Sequence, residues 1–127
     1  MSGIRKMTMK KENIKEFEKL LSQLVTMKTQ FEALSKKDPD GSVNSFKIGL
    51  VNKLLQDTNN LIGDFKPFPD FEQFDDSPKV FNSDVLMIMA HYITAMNRFK
   101  KANTTTENGI GLDTSWMDSV EKWNIED

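Results

Sequence analysis

Apolar residues fall into three periodic blocks separated by turn-forming punctuation. From about Glu12 to Lys36, Ile14, Phe17, Leu21, Leu24 and Phe31 recur at helical spacing and mark one face of an α-helix. Leu20, Met27 and Leu34 form a second row beside the first. The widened stripe predicts contact with two neighbours, as in a bundle. The remaining positions mix Lys10, Lys11, Lys15, Lys19, Lys28, Lys36 and Lys37 with Glu12, Glu16, Glu18 and Glu32, a solvated face.

Asp38-Pro39-Asp40-Gly41-Ser42 interrupts this pattern with turn residues, and Ser42 is placed to cap the helix that follows. That second helix, about Val43 to Ile62, is apolar on two faces. Phe46, Leu50, Leu54 and Leu61 form one row, and Ile48, Val51, Leu55 and Ile62 the other. Gly63 suits a left-handed C-cap, and Pro67 keeps the helix from resuming. Gly49 inside the helix hints at a close helix crossing.

Residues 64–81 read as a Phe/Pro-rich acidic loop. Prolines prevent a long helix there, and Phe65, Phe68, Phe71 and Phe74 recur every third residue, so they line one edge of an extended segment or short turn. Asn82-Ser83-Asp84 supplies a capping oxygen and a negative charge for a third helix running to about Lys101. Its early turns, with Val85, Leu86, Met87, Ile88, Met89 and Ala90, are almost wholly apolar, which predicts a central helix surrounded by the others. Residues 102–111 read as a polar linker. Residues 112–127 read as a short amphipathic helix, with a capping-box pattern at Ser115 and Asp118 and with Trp116, Val120 and Trp123 at i, i+4 and i+7. Residues 1–11 are expected to be a flexible N-terminus. The resulting expectation is one all-α domain over 1–127, a small antiparallel helical bundle of three long helices and a short C-terminal helix.

A length of 127 residues suits one core, and the 38% hydrophobic and 28% charged content is that of a globular chain. Seventeen basic against nineteen acidic residues leave a net charge of -2, which creates no field for a phosphate backbone. No nucleic-acid partner is expected. Arg98, Lys100 and Lys101 beside Phe99 are accounted for by dipole compensation at a helix end. Cysteine is absent, which removes disulfides, thiolate metal sites and a thiol nucleophile and suits a reducing compartment. The segment Met1 to Phe17 has no continuous apolar run of the export type, so the Asn103-Thr104-Thr105 sequon carries no weight. Val85 to Met96 is far shorter than the ~20 residues of a membrane span. No membrane association is expected, and the cytoplasm is the expected location.

The catalytic inventory is thin: one His, one Tyr, no Cys, and no Gly-x-Ser-x-Gly, P-loop or His-Glu-x-x-His pattern. His91 is read as a core histidine. Asp38-x-Asp40-Gly41 lacks the calcium-loop register, and Asp64, Asp70, Glu72, Asp75 and Asp76 lack regular ligand spacing, so neither a metal nor a cofactor is expected. Gly109-Ile110-Gly111 lacks the preceding strand of a phosphate loop. The methionines read as core fillers.

What remains is recognition without catalysis. The expected function is a protein–protein interaction module, such as a small inhibitor, adaptor or assembly factor. It would bind another protein or itself through helix faces and through Trp116, Val120, Trp123, Phe68, Phe71 and Phe74, because aromatic residues dominate interface energetics. Two alternatives are a small-ligand module with a pocket near His91 and Tyr92, and a minimal hydrolase using His91 and an acidic residue in a cleft. Burial of the tryptophans would leave the face of the first helix as the remaining candidate.

Overall fold

Helix α1, Lys11–Lys37, turns its apolar stripe inward and buries Ile14, Phe17, Leu20, Leu24 and Phe31. Leu20 takes the deep position that the spacing assigned to Leu21, a small rotation of the stripe that leaves Leu21 partly covered. The structure is a computed structural model and describes residues 7–75, 79–107 and 120–126. Helix α2, Ser45–Ile62, buries Ile48, Val51, Leu54, Leu55 and Ile62, and helix α3, Asn82–Ala102, lies chiefly along α1. The buried residues of the three helices form one cluster. The helical bundle is thus as expected. Among the described residues no helix is long and apolar enough to cross a membrane.

The turn between α1 and α2 has a second task. Its Gly41 carbonyl accepts from the Asn82 N–H at 2.9 Å, and its Pro39 carbonyl from the Ser83 N–H at 3.2 Å. The Asn82 side chain donates to the Asp38 carbonyl at 3.0 Å. The first free N–H groups of α3 are therefore satisfied by another loop. Gly41 suits this approach: a Cβ there would sit 2.7 Å from Asn82 Nδ2 and 2.8 Å from Asp38 Oδ2, so those side chains would have to shift. Ser42 forms an antiparallel bridge with Phe81 and does not cap α2. The cap is Asn44, whose Oδ1 accepts from the Lys47 N–H at 2.9 Å. Asp84 accepts from the Phe81 N–H at 2.9 Å and closes the start of α3. Gly63 ends α2 at φ +52°, where a side chain would be strained, and a single 3₁₀ turn, Gly63–Phe65, follows. Gly49 faces open space, so no close crossing depends on it.

Three expectations about regions outside the helix cores need correction. Strand β1, Thr104–Glu107, replaces part of the 102–111 linker, and strand β2, Val120–Trp123, replaces part of the 112–127 helix. They pair antiparallel, Thr104 opposite Trp123 and Glu107 opposite Val120. Three consecutive β-branched threonines favour this extended backbone. The capping-box positions Ser115 and Asp118 lie outside the described residues. The N-terminal segment is not loose from Met7 onward: the Met9 N–H donates to the Asn124 carbonyl and the Glu126 N–H to the Met9 carbonyl, both at 2.8 Å. Helix α3 is also less central than its composition implies, since Met87 is 54% exposed and His91, Thr94 and Arg98 continue an open strip.

Candidate functional site

One apolar row of α2 is covered throughout and the other only in its second half, at Leu54 and Leu61. Ile48, Val51, Leu55 and Ile62 enter the core, whereas Phe46 stands 74% exposed and Leu50 51% exposed. These two residues lie one turn apart and, with Met27, Phe31 and Leu34 of α1, line a groove of about 540 Å³ between the helices. Its charged lining residues are Lys37 and Lys47. Past Met27, Gln30 and Leu50 the groove continues toward Lys19, Lys53 and Asp57. Lys53 pairs with Asp57 at 3.0 Å, while Lys19, Lys37 and Lys47 make no ion pair among the described residues.

The Phe-rich loop is held by a ladder of amides on α2 at i, i+4 and i+7. Asn52 donates through Nδ2 to the Phe74 carbonyl and accepts through Oδ1 from the Phe74 N–H, each at 2.8 Å, so one side chain imitates a strand partner. Gln56 donates to the Gln73 side chain at 2.8 Å, and Asn59 donates to the Glu72 carbonyl at 3.3 Å. Asn59 also accepts from the buried Tyr92 hydroxyl at 2.8 Å, which ties the loop to α3. Lys66 lies 2.7 Å from Glu72, and that carboxylate holds the ammonium above its ordinary range. Phe68, Phe71 and Phe74 form a chain of edge-on contacts, 6.2 Å and 5.0 Å between ring centres, and pack half-buried on the core. They are therefore partly committed to their own fold.

His91 and Tyr92 do not converge. Adjacent helical positions point about 100° apart. His91 is exposed, not a core residue as its apolar neighbours suggested, and its ring sits edge-on to Phe68 at 5.0 Å. Tyr92 is fully buried, so no described cavity is lined by both. Among the described residues no group of three or more His, Asp or Glu side chains is placed to hold a metal ion; Asp76 lies outside them.

Of the C-terminal aromatic positions, Trp116 lies outside the described residues, and Val120 is described through its backbone alone, opposite Glu107. Trp123 is half-buried, edge-on to Phe17 at 5.0 Å, with Lys100 Nζ 5.8 Å from its ring centre and 3.5 Å from Glu121. Alternation along β2 puts Glu121 and Trp123 on the same side, toward α3. Asn103 and Asn124 support this corner. Buried Asn103 donates to the Phe99 carbonyl at 2.9 Å; Asn124 accepts from Thr105 Oγ1 at 2.7 Å and donates to the Met7 carbonyl at 3.1 Å. Sequence reasoning missed Asn52, Asn59, Asn103 and Asn124. For the α2 pair, the spacing of amides along one helix face was the available signal.

Burial pushes the Tyr92 hydroxyl above its ordinary range. The folded state therefore favours the neutral phenol, a contribution fully present below the ordinary value of about 10 and lost as pH rises through the raised one. Lys66 acts in the same direction, so the separation must be spectroscopic. Tyr92 is the sole tyrosine of the chain. In an alkaline titration tyrosinate absorbance is expected to appear only together with loss of helical circular dichroism. Ionisation near pH 10 with the helices intact would show an accessible hydroxyl and contradict the burial.

The fold is a three-helix bundle with a two-stranded appendage, and its open feature is an apolar groove between α1 and α2. Compared with known protein families, curated proteins and solved structures, the chain gives no match.

Proposed function

We propose that this chain is a non-catalytic protein-binding module whose contact face is the α1–α2 groove. The observation that carries the reading is the exposure of Phe46 and Leu50 in a concave surface continuous with Met27, Phe31 and Leu34. The first half of the second apolar row of α2, Phe46 and Leu50, lies open while Leu54 and Leu61 are covered, and an open apolar stretch on a helix is the surface type through which helical proteins recognise others. Half-burial of Trp123 and of the Phe loop supports placing recognition on the helix-one side. The separation of His91 from Tyr92 gives the ligand-pocket alternative no shared cavity to build on, and exposed His91 lines none of the described cavities that the hydrolase alternative would need. Cysteine absence supports a cytoplasmic location.

Site-specific photo-crosslinking tests the reading. A photoreactive residue at position 46 is expected to capture a discrete protein in cells. The same residue at position 94, an exposed site on α3, serves as the control. Equal, diffuse labelling from both positions would refute the groove as a contact face.

A further inference from the structure

The groove carries more information than its apolarity. Of its charged lining residues, Lys53 is neutralised by Asp57 at 3.0 Å, while Lys19, Lys37 and Lys47 are unpaired among the described residues. A chain with net charge -2 thus concentrates uncompensated positive charge along an extended apolar cleft between two helices. Three lysines over a cleft of this shape constrain what can lie in it.

We infer that the α1–α2 groove receives an acidic amphipathic helix of a partner protein, an inference that rests on the protein-binding reading above. Length supports it. From Lys19 to Lys37 the wall of the groove is continuous α1, about 27 Å at 1.5 Å per residue, which accommodates a helix of about 18 residues. Shape supports it too, because a cleft between two packed helices accepts the ridge of a third. Apolar residues of the incoming helix at i, i+3, i+4 and i+7 would meet Phe46, Leu50, Met27 and Leu34. Glu or Asp on its flanks would meet the three lysines. Contact between two copies through this face would set its lysines against lysines, which disfavours a symmetric self-pair. A flat anionic membrane would reach the rims but not the concave floor.

The test uses the full chain and two fluorescein-labelled synthetic peptides of about 18 residues. Both carry the same leucine stripe; one has Glu and the other Lys at every flanking position. Fluorescence anisotropy measures affinity, and amide chemical shifts of the protein locate the site. The Glu peptide is expected to bind at least about tenfold tighter than the Lys peptide, more so at low salt, with shifts along Met27 to Lys37 and Phe46 to Lys53. The triple variant Lys19→Glu, Lys37→Glu, Lys47→Glu is expected to reverse the order, and Phe46→Ala to weaken both peptides. All four positions are exposed or at the surface, so circular dichroism should be unchanged.

Equal binding of both peptides in the groove would overturn the acidic class and leave the docking surface standing. Binding of neither, alongside a protein crosslinked from position 46, would overturn the helix as occupant. If neither bound but vesicles of equal parts phosphatidylserine and phosphatidylcholine were retained through Phe46 and the lysines, both the inference and the protein-binding reading would fall.

Discussion

Phe17→Ala is expected to lower the free energy of unfolding by about 3–5 kcal/mol, read from urea denaturation followed by far-ultraviolet circular dichroism. The ring is almost completely buried and serves three elements at once. It stacks on Phe99 of α3 at 5.9 Å, meets Trp123 of β2 edge-on at 5.0 Å, and belongs to α1. Truncation removes the transfer energy of an aromatic ring and leaves a cavity that surrounding helices cannot fill without moving. It also takes away the apolar support of Trp123, so the β1–β2 corner should show faster amide exchange before the helices do. Phe17→Leu, which keeps most of the apolar volume, should lose markedly less. A Phe17→Ala loss under about 1 kcal/mol would mean that the corner is not packed through this ring.

Asn52→Ala is expected to cost about 2 kcal/mol, because both bonds to the Phe74 backbone disappear together and leave a part-buried donor and acceptor without partners. The informative comparison is Asn52→Asp. A carboxylate can still accept from the Phe74 N–H, but it faces the Phe74 carbonyl with negative charge and cannot donate. It should therefore be at least as damaging as alanine at neutral pH and partly relieved in acid, as the carboxyl protonates. Hydrogen exchange over residues 66–75 checks the mechanism: opening should be confined to this loop, leaving α1 and α3 protected. If alanine and aspartate both cost nothing, the amide ladder is incidental and the phenylalanines alone hold the loop.

These two positions differ in how visible they were. Phe17 announces itself, since it belongs to a stripe at helical spacing. Asn52 does not, because a polar residue on an amphipathic helix normally faces water, and only the path of a distant loop turns it into a backbone partner. The groove lies between these cases. Two apolar rows on α2 are plain in the chain, yet both could have been covered. That Ile48, Val51 and Leu55 are inside while Phe46 and Leu50 are outside depends on where α1 and α3 lie. The C-terminal segment shows the opposite error. Trp116, Val120 and Trp123 fit a helical period, but a few apolar residues in a short stretch also fit a strand, and pairing with Thr104–Glu107 decided for β structure across Val120–Trp123. Tertiary context overrides weak local preference most readily in short segments, where few residues vote.

Sequence by itself therefore determined the elements whose periodicity was long and whose ends were punctuated. These are α1, α2 and α3, the turn at Asp38 to Gly41, and the left-handed stop at Gly63. Local sterics and apolar spacing suffice there, because each turn of a long helix repeats the same demand. Only the tertiary structure decided which apolar face stayed open, which asparagines became structural, where His91 and Tyr92 ended up, and that the chain after α3 returns as a strand. Those outcomes depend on contacts between residues far apart in the chain, and no local pattern encodes the partner that a side chain will meet.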